Sequence, residues 1–109
     1  MPMTVVVTRD VAPRFRGFLA SCMLELAPGV YTAPRLSEPV RERIWTVLNE
    51  WFVASACTGC IVMTWVDATR QDGQEVRCLG APPVELRESD GLFLAMRPLT
   101  AEDERLLAL

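Results

Sequence analysis

The sequence predicts a single α+β domain, and three observations carry that prediction. Its 109 residues, 50% of them apolar, match one domain with one buried core. Short β-branched stretches alternate with two segments of helical periodicity. Charged residues at 23% and a mean hydropathy of +0.20 argue against both a disordered tail and a coiled coil.

Met3 to Thr8 (MTVVVT) is apolar and β-branched throughout, as expected of a central strand buried on both faces. From Pro13, apolar residues fall at Phe15, Phe18, Leu19, Cys22, Met23 and Leu26, one buried stripe of a helix. Pro13 suits its first turn and Pro28-Gly29 stops it. A short strand follows at Gly29 to Thr32 before Pro34 interrupts it. Ser37 offers an N-cap, and Glu38 stands where the helix dipole favours an acid. The second helix then has a stripe at Val40, Ile44, Val47, Leu48 and Trp51, with Arg41, Glu42, Asn49 and Glu50 on the wet side, and fades near Ala54. Cys60 to Val66 and Gln74 to Leu79 read as strands, joined at the Asp72-Gly73 turn. An irregular acidic segment with Pro82 and Pro83 precedes a last strand at Leu92 to Met96. Thr100 ahead of Glu102, Asp103 and Glu104 marks a short terminal helix, which divides the chain into a domain over 1–99 and a tail over 100–109.

Two helices separated by strands, with the first strand central, are close to the split βαβ, or ferredoxin-like, arrangement with both helices on one sheet face. If those helices cover Val62 and Thr64, then Ile61, Met63 and Trp65 face the other way and call for a partner subunit, a homodimer.

The net charge of −3 argues at first against a polyanionic partner. Its distribution points the other way. Residues 1–47 hold Arg9, Arg14, Arg16, Arg35, Arg41 and Arg43 against four acids, and residues 48–109 hold five arginines against ten. There is no lysine, so every basic side chain is a planar guanidinium suited to bidentate contact with phosphate or carboxylate. No basic segment precedes the apolar opening and no apolar run is long enough to span a bilayer, so a cytoplasmic protein without a membrane partner is expected. Its four cysteines are then expected as thiols.

With no histidine, the commonest general base and metal ligand and every Ser-His or Cys-His pair are absent. The glycines form neither a Walker A loop nor GxGxxG. Cys57-Thr58-Gly59-Cys60 has redox spacing, but it lies between a helix end and a strand, where the helix dipole has the wrong sign to stabilise a thiolate. Cys22 and Cys78 offer no matching pair for zinc. Asp10, Asp67 and Asp72 are candidate carboxylates for a metal, yet nothing in their spacing unites them, and the last two suit turn positions.

The turn Thr8-Arg9-Asp10-Val11-Ala12-Pro13-Arg14-Phe15-Arg16 puts Arg14 and Arg16 in a first helical turn, where the dipole disfavours each cation by about 0.3–1 kcal/mol. Two readings follow. In one, a phosphate is held by the free backbone amides and both guanidinium groups. In the other, Asp10 pairs with one arginine and solvent screens the second.

The stretches VVVTRDVAPRFRGFLA, LELAPGVY, RERIW, CIVMTW and SDGLFLAMRPL, in this order from about Met1 to Leu99, resemble the type I-E branch of the CRISPR-associated Cas-two family. The resemblance implies a ferredoxin-like homodimer that acts as a scaffold in spacer acquisition for antiviral defence, lying between CRISPR integrase dimers and carrying duplex protospacer DNA. It implies that Arg14 and Arg16 grip the DNA backbone, and that Leu92, Phe93, Leu94, Ala95, Met96, Arg97, Pro98 and Leu99 dock the integrase. Such a scaffold requires no cofactor. The family's alternative activity, a metal-dependent endonuclease acting on RNA or DNA, implies Asp10 from two subunits with magnesium or manganese. Here Arg9 stands where family members carry the acid proposed to hold that metal, and Asp10 follows one place later. A guanidinium there repels a metal and attracts a phosphate. Gly80-Ala81-Pro82-Pro83 replaces a basic pair common in the branch, which implies either a weaker DNA grip or one supplied elsewhere, for example by Arg9 or Arg77.

Overall fold

A computed structural model describes residues 2–55, 58–80, 85–89 and 91–96. The elements run β1 (Thr4–Arg9), α1 (Pro13–Cys22), β2 (Leu24–Ala27), β3 (Val30–Ala33), α2 (Glu38–Ala54), β4 (Cys60–Val66), β5 (Gln74–Gly80), β6 (Glu85–Ser89) and β7 (Leu92–Met96). The first five strands form one antiparallel sheet in the order β2-β3-β1-β4-β5, with β1 central as expected but buried on one face only, since Val5 and Val7 lie on the side that the helices leave open. Strands β6 and β7 pair separately as a hairpin. This is the α+β, ferredoxin-like architecture that the sequence predicts.

Register decides which side chains are buried. Val6 pairs with Met63 on one side and Tyr31 on the other, so these three share a face. Phe15 and Leu19 of α1 and Ile44 and Leu48 of α2 pack on that face with Ile61 and Trp65. Each large apolar side chain buried there contributes roughly 1.5–3 kcal/mol. The phase expected for β4 is therefore reversed: Ile61, Met63 and Trp65 face the helices, and Val62 and Thr64 face away. CIVMTWV is apolar at nearly every position, so its own alternation cannot set its phase. The pairing with β1 does.

The uncovered face carries Val5, Val7, Val30, Val62 and Val76, with Leu24 at its edge; Val7 is 41% and Leu24 62% exposed. It is apolar, and no element of the described residues covers it.

Three local expectations are corrected. Helix α1 stops at Cys22, where Met23 turns extended and its N–H donates to the Leu19 carbonyl at 2.8 Å. Leu24 to Ala27 then pairs with β3, so Leu26 belongs to a strand; its place in the stripe was a coincidence of spacing, and long-range pairing outweighs it. Glu85–Ser89, expected as irregular, is paired with Leu92–Met96. Arg41, expected on the wet side of α2, is only 6% exposed and lies over Trp65 at 4.1 Å. Helix α2 otherwise begins after Ser37 as expected, although the serine side chain makes no capping hydrogen bond. The tail over 100–109 lies outside the described residues.

Candidate nucleic-acid interface

The arginine turn lies where β1 leaves the sheet. Thr8 donates its N–H to the Gly29 carbonyl at 2.7 Å, which ties the end of β1 to the β2–β3 turn. Asp10 then adopts φ 55°, a left-handed conformation that aspartate tolerates better than most residues. Gly59 packs against this bend so closely that a Cβ there would lie 2.1 Å from the Arg9 carbonyl oxygen and 2.5 Å from that of Asp10. Pro13 opens α1 from an Ala12 N-cap that has no side-chain cap, and the first turn contains no acid. The amides of this turn therefore meet no carboxylate from the helix itself.

Three arginines lie at this turn: Arg9 ends β1, and Arg14 and Arg16 fall in the first turn of α1. Arg14 and Arg16 are exposed and enter no ion pair among the described residues. Asp10 pairs with Arg9, at 3.8 Å between groups 64% and 78% exposed, and with neither Arg14 nor Arg16. At that distance and exposure the pair is weak. Arg14 stacks 3.9 Å over the Trp51 ring, which itself meets Phe15 and Phe18 edge-on. Stacking occupies the face of a guanidinium and leaves its N–H edge available, so Arg14 is held in place while its donors remain open. Arg16 lines a cleft of about 320 Å³ with Thr8, Asp10, Val11, Pro28 and Gly29. Behind it, burial pushes the Tyr31 hydroxyl pKa up, with Glu25 reinforcing the rise and Arg16 opposing it.

Arg77 lies elsewhere. It projects from β5 on the rung of Met63, on the helix-covered side, and donates Nη1 and Nη2 to the two carboxylate oxygens of Glu42, each at 2.7 Å. Its guanidinium also stands 4.9 Å from the Trp65 ring centroid. Donation from Arg77 holds the Glu42 carboxyl below its ordinary range. A phosphate would have to displace Glu42 to reach Arg77, which lies apart from the turn that carries Arg9, Arg14 and Arg16.

The carboxylates do not assemble either. Asp67 accepts from the Thr69 N–H at 2.9 Å and hydroxyl at 2.6 Å, and Asp72 accepts from the Gln74 N–H at 3.2 Å, as turn residues do. Among the described residues no three potential ligands converge on a metal position. Asp10, a single exposed carboxylate beside a guanidinium, does not by itself fit a divalent ion.

Of the CxxC pair, Cys57 lies outside the described residues. Cys60 opens β4 opposite Gly80. Partial burial pushes the Cys22 and Cys78 thiols up, away from reactive thiolates. On β7, Leu92 and Leu94 are 46% and 48% exposed while Phe93 is half-buried, so the strand turns alternate apolar side chains outward. Arg97, Pro98 and Leu99 lie outside the described residues, as do the side chains of Ala95 and Met96.

Sequence reasoning missed Trp51 as the platform beneath Arg14 and Gly59 as the buttress of the turn. The i, i+3 run of Phe15 and Phe18 toward an aromatic on α2 was the only signal for the first, and a glycine just ahead of a strand the only one for the second. No helix among the described residues is long and apolar enough to cross a membrane. The family model described as CRISPR-associated protein (Cas_Cas2CT1978) matches residues 3–94, most of the chain and all of the arginine turn. The chain belongs to this CRISPR-associated, Cas-two type family.

Proposed function

We propose that the protein is a non-catalytic subunit of the CRISPR adaptation complex, which holds duplex protospacer DNA and bridges integrase dimers. The observation that carries this reading is that Arg14 and Arg16 are exposed in a first helical turn that contains no acid and enter no ion pair among the described residues. Arg14 and Arg16 offer exposed guanidinium edges beside the start of α1, the chemistry that phosphates recognise. The acidic overall charge confines this affinity to the arginine-bearing end of the sheet.

Two further surfaces support the reading. The uncovered valine face suits a second copy of the chain, because a dimer would bury it symmetrically and place two arginine turns on one assembly. The outward Leu92 and Leu94 of the β6–β7 hairpin suit the integrase. Holding DNA in this way needs no metal. Arg9 beside Asp10 places a cation where a nuclease of this family would need its ion.

The test is duplex binding by the complex assembled with the CRISPR integrase, across a salt series. Replacing both Arg14 and Arg16 with alanine should weaken binding by roughly 10- to 100-fold and make the log–log salt slope shallower by about 2, one unit for each lost phosphate contact. An unchanged affinity and slope would overturn the proposal.

A further inference from the structure

The β6–β7 hairpin lies outside the five-stranded sheet, and a lone two-stranded hairpin is marginally stable in water. Something must hold it against the domain if it is to present one face. The β4–β5 turn supplies that hold. Its backbone is closed on itself: Asp67 N–H donates to the Gly73 carbonyl at 2.7 Å, Arg70 N–H to Asp67 at 3.2 Å, and Gly73 N–H to Arg70 at 3.1 Å. From this rigid turn Arg70, 20% exposed, extends one guanidinium to three groups. Nη1 donates to Glu75 at 3.1 Å, at the start of β5. Nη2 pairs with the Glu88 carboxylate on β6. The guanidinium also stands over the Phe93 ring of β7 at 4.8 Å.

Glu88 and Phe93 are partners on a single rung of the hairpin. One side chain therefore grips both strands at the same rung, and through Glu75 links that rung to the main sheet. Next to this rung Gly91 lies so close to the turn that a Cβ there would come within 2.6 Å of the Gln71 Cβ. Side chains alternate along β7, so fixing Phe93 toward Arg70 turns Leu92 and Leu94 outward.

We infer that Arg70 is a positioning residue: it clamps the Glu88–Phe93 rung and so fixes the direction in which the hairpin offers Leu92 and Leu94 to the integrase. The inference rests on the docking role proposed above for that hairpin. A hairpin already oriented loses less freedom on binding than one that swings, and that saving appears as affinity.

The experiment uses the full-length protein. Amide hydrogen exchange is measured over 85–96 and over β1 and β4, together with the dissociation constant for the CRISPR integrase subunit. Arg70→Ala should speed exchange in β6 and β7, leave β1 and β4 protected, and raise the dissociation constant by about 10-fold. Arg70→Lys, which keeps one charge but cannot bridge two carboxylates and cover a ring, should give an intermediate loss. Unchanged exchange in the hairpin, or faster exchange with unchanged affinity, overturns the inference. The double variant Leu92→Asp, Leu94→Asp separates it from the docking role: integrase binding that survives this change defeats that role, whereas binding lost there but intact in Arg70→Ala defeats only the clamp.

Discussion

At one end of the sheet, where β1 runs into α1, Arg9, Arg14 and Arg16 project into solvent with a single weak ion pair among them. Toward the other end, where α2 begins and β4 turns into β5, Arg41, Arg70 and Arg77 are buried or bound: Arg41 over Trp65, Arg70 between Glu75 and Glu88, Arg77 across both oxygens of Glu42. The residue type is the same and its use is opposite. In Arg70 and Arg77 the guanidinium edge is taken by carboxylates and its face meets a ring, whereas Arg41 is buried over Trp65 and enters no ion pair among the described residues. Arg14 has the ring without a carboxylate and stays exposed, so its N–H edge is open for the phosphate contact proposed above.

Three changes would break or sharpen this contrast. The largest effect is expected from Trp65→Ala. Trp65 is 6% exposed and lies beneath both Arg41 and Arg77, so its loss should cost about 3–5 kcal/mol in chemical denaturation, while DNA affinity of the remaining folded protein is retained. Gly59→Ala acts at the other end. The added methyl group must displace the Arg9 and Asp10 carbonyls, at about 1–3 kcal/mol of stability, and should also weaken duplex binding because the turn that carries the arginines moves. Normal binding and stability in this variant would show that the turn needs no buttress.

The smallest change is Glu42→Gln, read as stability against pH. Donation from Arg77 lowers the Glu42 pKa in the folded chain below its ordinary 4.5. That contribution is therefore fully present above the unfolded value and is lost as pH falls through the folded one. Both partners are substantially exposed, which limits it to about 0.2–1 kcal/mol. The variant should lose this stabilisation near neutral pH and show a flatter decline below pH of about 4.5, with DNA binding unchanged. A drop in DNA binding would place Arg77 with the arginines proposed to hold phosphate.

The elements whose signals are local were legible in the sequence. The apolar β1, the bounds of α2, the Asp72-Gly73 hairpin and the Arg14–Arg16 pair at a helix start all follow from neighbouring residues. What escaped depends on contacts distant in the chain. Nothing near Arg77 announces Glu42, 35 residues earlier, and the face of β4 was fixed only by its pairing with β1. The strand Leu24–Ala27 fitted a helical stripe as well as a ladder until β3 was placed beside it. Arg41 looked solvated because a charged residue usually is, and only the indole of Trp65 across the core explains its burial.

The stack of Arg14 on Trp51 also has an optical consequence. Indole emission responds to a charge held against its ring, so a phosphate that draws on the Arg14 guanidinium alters the field at Trp51 directly. Trp65, by contrast, is buried against Arg41 and Arg77 on the rung of Glu75, away from the arginine turn. If the proposed phosphate contact forms, its occupancy is readable from Trp51 emission without a label.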